Sequence, residues 1–191
     1  MGNGAHRLED YVKAAWYEQQ GPARDVLEVG EMPTPTPDAG EVRLKVAVSG
    51  INPGDTKKRD NFFGYGMVYP RVIPHSDGAG VIDQLGEGVP DDWLGRRVWC
   101  YGAQSYRPFG TAAEYTILPL QKVVPLPAGV SFEQGACLGI PALTAHRAVR
   151  RTGSGTHGVG AGWSRGCGSE RCAIRPPCRC PGHRRRAPRR G

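Results

Sequence analysis

The side chains best suited to holding a metal lie together near one end of the chain: Cys167, Cys172, Cys178, Cys180 and His183. A structural zinc site needs four such donors at tetrahedral distance, and zinc modules bring them in closely spaced pairs. The order here gives no such pairing. The same stretch holds Gly158, Gly160 and Gly162, a glycine spacing that could let a backbone approach a phosphate. Phosphate-binding glycines need an apolar strand before them and an amphipathic helix after them, and neither pattern is present. Elsewhere the reactive types are sparse. Cys100 and Cys137 read as small core hydrophobes, and His75 and His146 as surface or satisfied core histidines. Asn52 stands before Pro53-Gly54, where its side chain is a good turn former. Tyr65 and Tyr69 sit in the aromatic run FFGYGMVYP, which could cover the mouth of a barrel. Asp77 with Gly78-Ala79-Gly80 reads as a turn and a place of close packing.

The elements that would position these residues follow from periodicity. From Val12 to about Pro127 the chain is a series of short apolar or alternating runs cut by Gly and Pro: VKAAWYE, VLEVGEM, EVRLKVAVSGI, AGVIDQLG, RRVWCYG, TAAEYTILP and KVVPLP. Such runs predict strands. TPTPDAGE and GEGVPDDWLG supply turns between them. Many short strands at close spacing favour a closed or partly closed barrel, because closure removes exposed edges. After Pro127, SFEQGACLGIPALTAHRAV offers a Ser131 cap, an acid in the first turn and helical apolar spacing, predicting one or two helices.

Charge divides the chain in the same way. The formal net charge of +7 comes from residues 150–191, which hold 11 Arg, no Lys and one acid; residues 1–149 keep 14 basic against 17 acidic residues. The body is mildly acidic. Neither a signal-peptide run nor a stretch near the roughly 20 apolar residues of a membrane span appears. The chain therefore reads as soluble and cytoplasmic, without a membrane partner. Residues 1–11 carry no period and are expected to be disordered, as is the Arg-rich tail 150–191, which lacks core-forming residues.

The run AVSGINPGDTKKRDNFFGYGMVYPRVIPHSDGAGVIDQLGEGV resembles the signature region of the medium-chain dehydrogenase/reductase superfamily, most of all its zinc-independent NADPH:quinone oxidoreductase branch. VKAAWYEQQGP, FGTAAEY and GACLGIPALTAHRAV follow the same order and spacing, so the resemblance covers about residues 12–149. It implies a mainly β fold: a GroES-like β-barrel over 12–127, then over 128–149 the first helix of an incomplete Rossmann cofactor domain. The zinc-dependent members take metal ligands at positions matching Asn52, Ser76 and Ile140, none of which makes a plausible zinc set. No metal is expected.

By the same resemblance the activity is NADPH-dependent hydride transfer to a quinone or other conjugated carbonyl. Asn52 and Tyr65 are the expected catalytic residues, Tyr69 a weaker choice for the second. Asn52, Tyr65 and Thr144 are the expected contacts to NADPH. Full-length relatives are expected to be homodimers. An enoyl reductase of the same superfamily is an alternative, with Tyr65 donating a proton. A nucleic-acid-binding role for the Arg-rich tail is a weaker one. A frameshift is the simpler expected origin of the tail. Read one nucleotide later, the codons for His157 through Gly168 permit an apolar strand running into Gly-Leu-Gly-Ala-Val-Gly, the phosphate loop expected at that place. A frameshift near codon 150 would produce the Lys-free, Arg-, Pro- and Cys-rich composition, and the chain as it stands is expected to be inactive.

Overall fold

The computed structural model describes residues 11–153, with side chains over 11–150. Alternation of buried and exposed residues creates most of the strands. In β3 (Glu41–Gly50) the inward residues are Val42 and Leu44, both fully buried, while Arg43 between them points out. This two-residue period is what a sheet with one packed face requires. Its neighbours are β4 (Asp77–Leu85), β5 (Arg97–Cys100), β6 (Tyr115–Pro119) and β7 (Val123–Pro125). Together they form an antiparallel sheet in the order β6-β3-β4-β5-β7. Val42, Leu44, Ile82, Val98, Cys100 and Leu118 fill the main core from this sheet. Each large aliphatic side chain so buried contributes about 1.5–3 kcal/mol.

A second, two-stranded sheet pairs β1 (Tyr11–Trp16) with β2 (Glu28–Pro33). Bridges at Ala14 with Ala113 and Tyr17 with Val72 stitch it to the segments flanking the larger sheet, and a bridge between Ile73 and Phe109 joins two of those segments. Closure is partial, since β6 and β7 remain the edges of the five-stranded sheet. The mainly β architecture agrees with the sequence. Tyr11 departs from it, because it already pairs with Pro33 and so belongs to β1 rather than to a disordered start.

Two short helices were not legible from apolar periodicity. The first, α1 (Ala23–Val26), replaces the start of the expected strand VLEVGEM. The second, α2 (Pro53–Arg59), has no apolar stripe. Its ends define it instead: Pro53 in the first turn, Asp55 at the third position and a basic last turn that suits the helix dipole. The helical region after Pro127 resolves into α3 (Phe132–Ala136), capped by Ser131, and α4 (Ile140–Gly153). Because α4 continues to Gly153, ordered backbone runs a few residues beyond Arg150, where the sequence suggested that it would stop. Contacts divide the chain into two units after Thr144. The remaining expectations for the tail, including its glycines and its Cys and His residues, lie outside the described residues. Among the described residues no helix is long and apolar enough to cross a membrane.

Candidate active site

Asn52 lies where β3 gives way to α2. An Asn-Pro sequence keeps the first residue extended, and Asn52 has φ −118° and ψ 155° as the residue before the helix. Its backbone N–H donates to Asp55 Oδ2 at 2.8 Å, and the Asp55 N–H returns a bond to the Asn52 carbonyl at 3.0 Å. The turn-forming role read from sequence is therefore present. The carboxamide does something further: Nδ2 donates across to Asp77 Oδ2 at 2.9 Å. With Asn52 only 4% exposed, this bond fastens the start of α2 to the start of β4.

Asp77 is the junction of the site. It is fully buried, and the same Oδ2 accepts the Ile140 backbone N–H at 2.7 Å, so one carboxylate oxygen holds the first turns of both α2 and α4. Its other oxygen, Oδ1, is buried without a hydrogen-bond partner. Burial pushes the Asp77 carboxyl above its ordinary range; the bonds from Asn52 and Ile140 work against that, and the charge of Asp55 adds to it. Close packing surrounds this point. A Cβ on Gly139 would stand 2.2 Å from Asp77 Oδ1, and one on Gly80 would stand 2.0 Å from the Lys45 carbonyl oxygen. The close packing read from the sequence holds, but the turn does not: Asp77-Gly78-Ala79-Gly80 open strand β4, and the Asp77 side chain ties two helices together.

A polar chain runs beside it. Thr111 Oγ1 donates to the Asp77 carbonyl at 2.7 Å, and Ser49 Oγ lies 2.9 Å from both Thr111 Oγ1 and His75 Nδ1. A carbonyl only accepts, which commits the Thr111 proton; Ser49 must then donate to Thr111 and receive its bond from His75 Nδ1–H. This fixes the neutral tautomer of His75. Burial lowers the His75 pKa, opposed by the charge of Asp55. Asp55 is itself raised by burial, with the Asn52 N–H, His75 and Lys58 pulling it back. His75 is a satisfied, half-buried histidine, as expected, although its backbone sits at φ +74°, where side chains are uncommon.

The three residues expected to meet the cofactor are not gathered into one cavity. Tyr65 is 83% exposed and stacks on Phe63 with ring centroids 5.9 Å apart. It lines a cavity of about 370 Å³ together with Lys57, Lys58, Phe63, Tyr69 and Gln104. Asn52 and Thr144 are not among its lining residues. Tyr69 is held by its hydroxyl, which donates to the Tyr106 carbonyl at 2.7 Å. Thr144 is exposed on α4. Cys100 is buried, and burial pushes its thiol up to about 12. Cys137 corrects the sequence reading: it is exposed at the end of α3 rather than in the core. The sequence reading passed over Asp55 and Lys57, and it left Asp77 as a turn. Only Asp55 had a local signal, as the third residue after Asn52 in a capping box. Among the described residues no group of three or more His, Cys, Asp or Glu side chains is placed to hold a metal ion.

Residues 38–128 match the alcohol dehydrogenase GroES-like domain family. The chain is 36% identical over 164 residues to the mouse quinone oxidoreductase, covering 83% of this chain and 47% of that protein. It is also 36% identical over 124 residues to the trans-enoyl reductase tndF of Aspergillus flavipes, covering 62% of this chain and 36% of that one. Among solved structures, a mycobacterial protein in complex with NADPH superposes with a TM-score of 0.61 at 24% identity, over 73% of this chain and 40% of that one. The chain thus spans about half the length of the curated relatives it matches. With a GroES-like domain in its β sheets and quinone oxidoreductase as its likeness along most of its length, the chain belongs to the quinone oxidoreductase branch of the medium-chain dehydrogenase/reductase superfamily.

Proposed function

We propose that this chain is the substrate-side half of an NADPH-dependent oxidoreductase that passes hydride to a quinone without catalytic zinc. The donor set at the junction carries this reading. Asn52 and Ile140 meet on one oxygen of Asp77, and Ser76 immediately precedes that carboxylate, 1% exposed. An amide, a hydroxyl and an alkyl chain do not suit Zn²⁺, which binds thiolate, imidazole or carboxylate in a tetrahedral site. An acceptor at this site must take hydride without a Lewis acid to polarise it. A quinone meets that demand, because conjugation spreads the incoming charge to its second oxygen.

Nicotinamide, when bound, supplies the hydride. The chain's share is positioning. Asp77 locks the Asn52 carboxamide and the first turn of α4, and Thr144 lies one helical turn beyond Ile140. Asn52 and Thr144 are the residues of this chain that would meet the nicotinamide side. Tyr65 would close over the acceptor from the aromatic cavity. Residues 12–127 would form the substrate-side domain and 128–149 the entry to the cofactor domain, with a frameshift accounting for the tail.

The test compares the 191-residue chain with a chimera in which the remaining half of the mouse relative follows Val149. NADPH oxidation is followed with a quinone and with an enoyl thioester as acceptor. We expect no turnover by the chain alone and quinone reduction by the chimera, unaffected by zinc chelators. Reduction of the thioester in preference to the quinone would refute the proposal in favour of an enoyl reductase, a reading that the A. flavipes relative supports.

A further inference from the structure

The 370 Å³ cavity beside Tyr65 has a charge that the proposed function does not explain. Two lysines, Lys57 and Lys58, line it, and no carboxylate does. Lysines at the end of a helix are ordinary, because the carbonyl end of the helix attracts cations. Such lysines normally face water or an acid. Lys58 instead donates from Nζ to Gln104 Oε1 at 2.8 Å. Gln104 is 8% exposed, and its Nε2 donates to the Arg107 carbonyl at 3.2 Å, so its amide oxygen stays turned to the ammonium. A neutral amide orients that charge without cancelling it. Lys57 Nζ lies over the Phe62 ring, 5.1 Å from its centroid. Neither lysine forms a salt bridge among the described residues. Lys58 does act on the buried Asp55 carboxyl, lowering its pKa less than the Asn52 N–H and His75 do.

The remaining walls are aromatic. Tyr17, Phe63, Tyr65 and Tyr69 line the same space, with Phe63 and Tyr65 nearly parallel at an interplanar angle of 15°. The volume falls in the range of small-molecule sites, with room for a fused pair of rings. Flat π surfaces select a flat conjugated body, and two ammonium groups that form no salt bridge among the described residues select negative charge on it.

We propose that this cavity takes an anionic conjugated ring, with the acidic group held by Lys57 and Lys58. For the proposed reaction, this makes the preferred acceptor a quinone bearing an ionised hydroxyl or carboxyl substituent; the inference rests on the quinone reading. The cavity is lined by this chain's own residues, so the test uses the 191-residue chain. Lawsone, a hydroxynaphthoquinone that is an anion at neutral pH, is titrated against the chain at low salt, alongside menadione, its neutral methyl analogue. Tryptophan quenching and calorimetry report the affinities.

Lawsone should bind at least about tenfold more tightly, and salt should erode the difference as it screens the pair. Lys57→Gln with Lys58→Gln should abolish the preference while menadione affinity stays within about twofold, and Lys45→Gln, away from the cavity, should leave it intact. Circular dichroism verifies that each variant is folded. Equal affinity for the two ligands, or a preference that survives the double substitution, overturns the inference and leaves the quinone reading standing. If neither ligand binds, the inference fails, and quinone turnover by the chimera decides the quinone reading separately.

Discussion

Substituting Gly139 by Ala places a methyl group against the fully buried carboxylate of Asp77. The new Cβ would lie 2.2 Å from Asp77 Oδ1 and 2.5 Å from its Cγ. Relief requires a shift of about 1 Å to reach ordinary contact distance. Asp77 has no room to supply it, since it is fully buried and its Oδ2 holds both the Asn52 amide and the Ile140 N–H. Swinging the carboxyl away breaks two hydrogen bonds to a charged acceptor, each contributing about 1.5–3 kcal/mol. Shifting α4 instead opens the packing, at about 1–3 kcal/mol. The lower chain entropy of Ala in the unfolded state returns about 0.4–1 kcal/mol. The chain takes the cheaper of the two routes, so the balance is a loss of about 1–2 kcal/mol, read from urea unfolding followed by circular dichroism.

The control is a double-mutant cycle. With Asp77→Ala in place the obstruction is gone, and Gly139→Ala should then cost less than about 1 kcal/mol. If Gly139→Ala alone stays within about 0.5 kcal/mol of the parent, the site is not rigid and Asp77 does not fasten the two helices.

Three other predictions concern neighbouring features. The folded state raises the Asp77 pKa above its ordinary value of 3.8, so it binds more protons than the unfolded chain and stability falls as pH rises from about that value through the folded pKa. Asp77→Asn should flatten that fall in a pH series of urea titrations; the depressed His75 gives the opposite slope, a rise up to its unfolded value of 6.5, which His75→Gln should remove. Arg43 forks onto Asp83 with Nε and Nη2 at 3.0 and 2.8 Å, both side chains partly buried, so Arg43→Met should cost about 1 kcal/mol after discounting for solvent, and Arg43→Lys should not fully restore it. Tyr65→Ala, at an exposed position, should change stability by less than about 0.5 kcal/mol while raising the quinone KM of the chimera; an unchanged KM would remove Tyr65 from the substrate site.

The strands were determined locally. Val42 and Leu44 alternate with Arg43 and Lys45 because a pleated chain sends successive side chains to opposite faces, and that period is visible in any window of the sequence. The Ser131 cap and the two helices after Pro127 were equally local. The choice of Asn52, Ser76 and Ile140 as the positions to weigh for zinc came from the family resemblance, and their chemical types from the sequence itself. The tertiary structure decided which of these residues meet. Asp77 reaches Asn52 across 25 positions and Ile140 across 63, through single hydrogen bonds that leave no repeating pattern behind. Folding likewise left Asn52 off the cavity that Tyr65 lines, set two lysines without a salt bridge among its aromatic walls, and turned Cys137 out of the core. Periodicity records which face of an element is buried; it carries no information about which distant polar group a buried carboxylate will find.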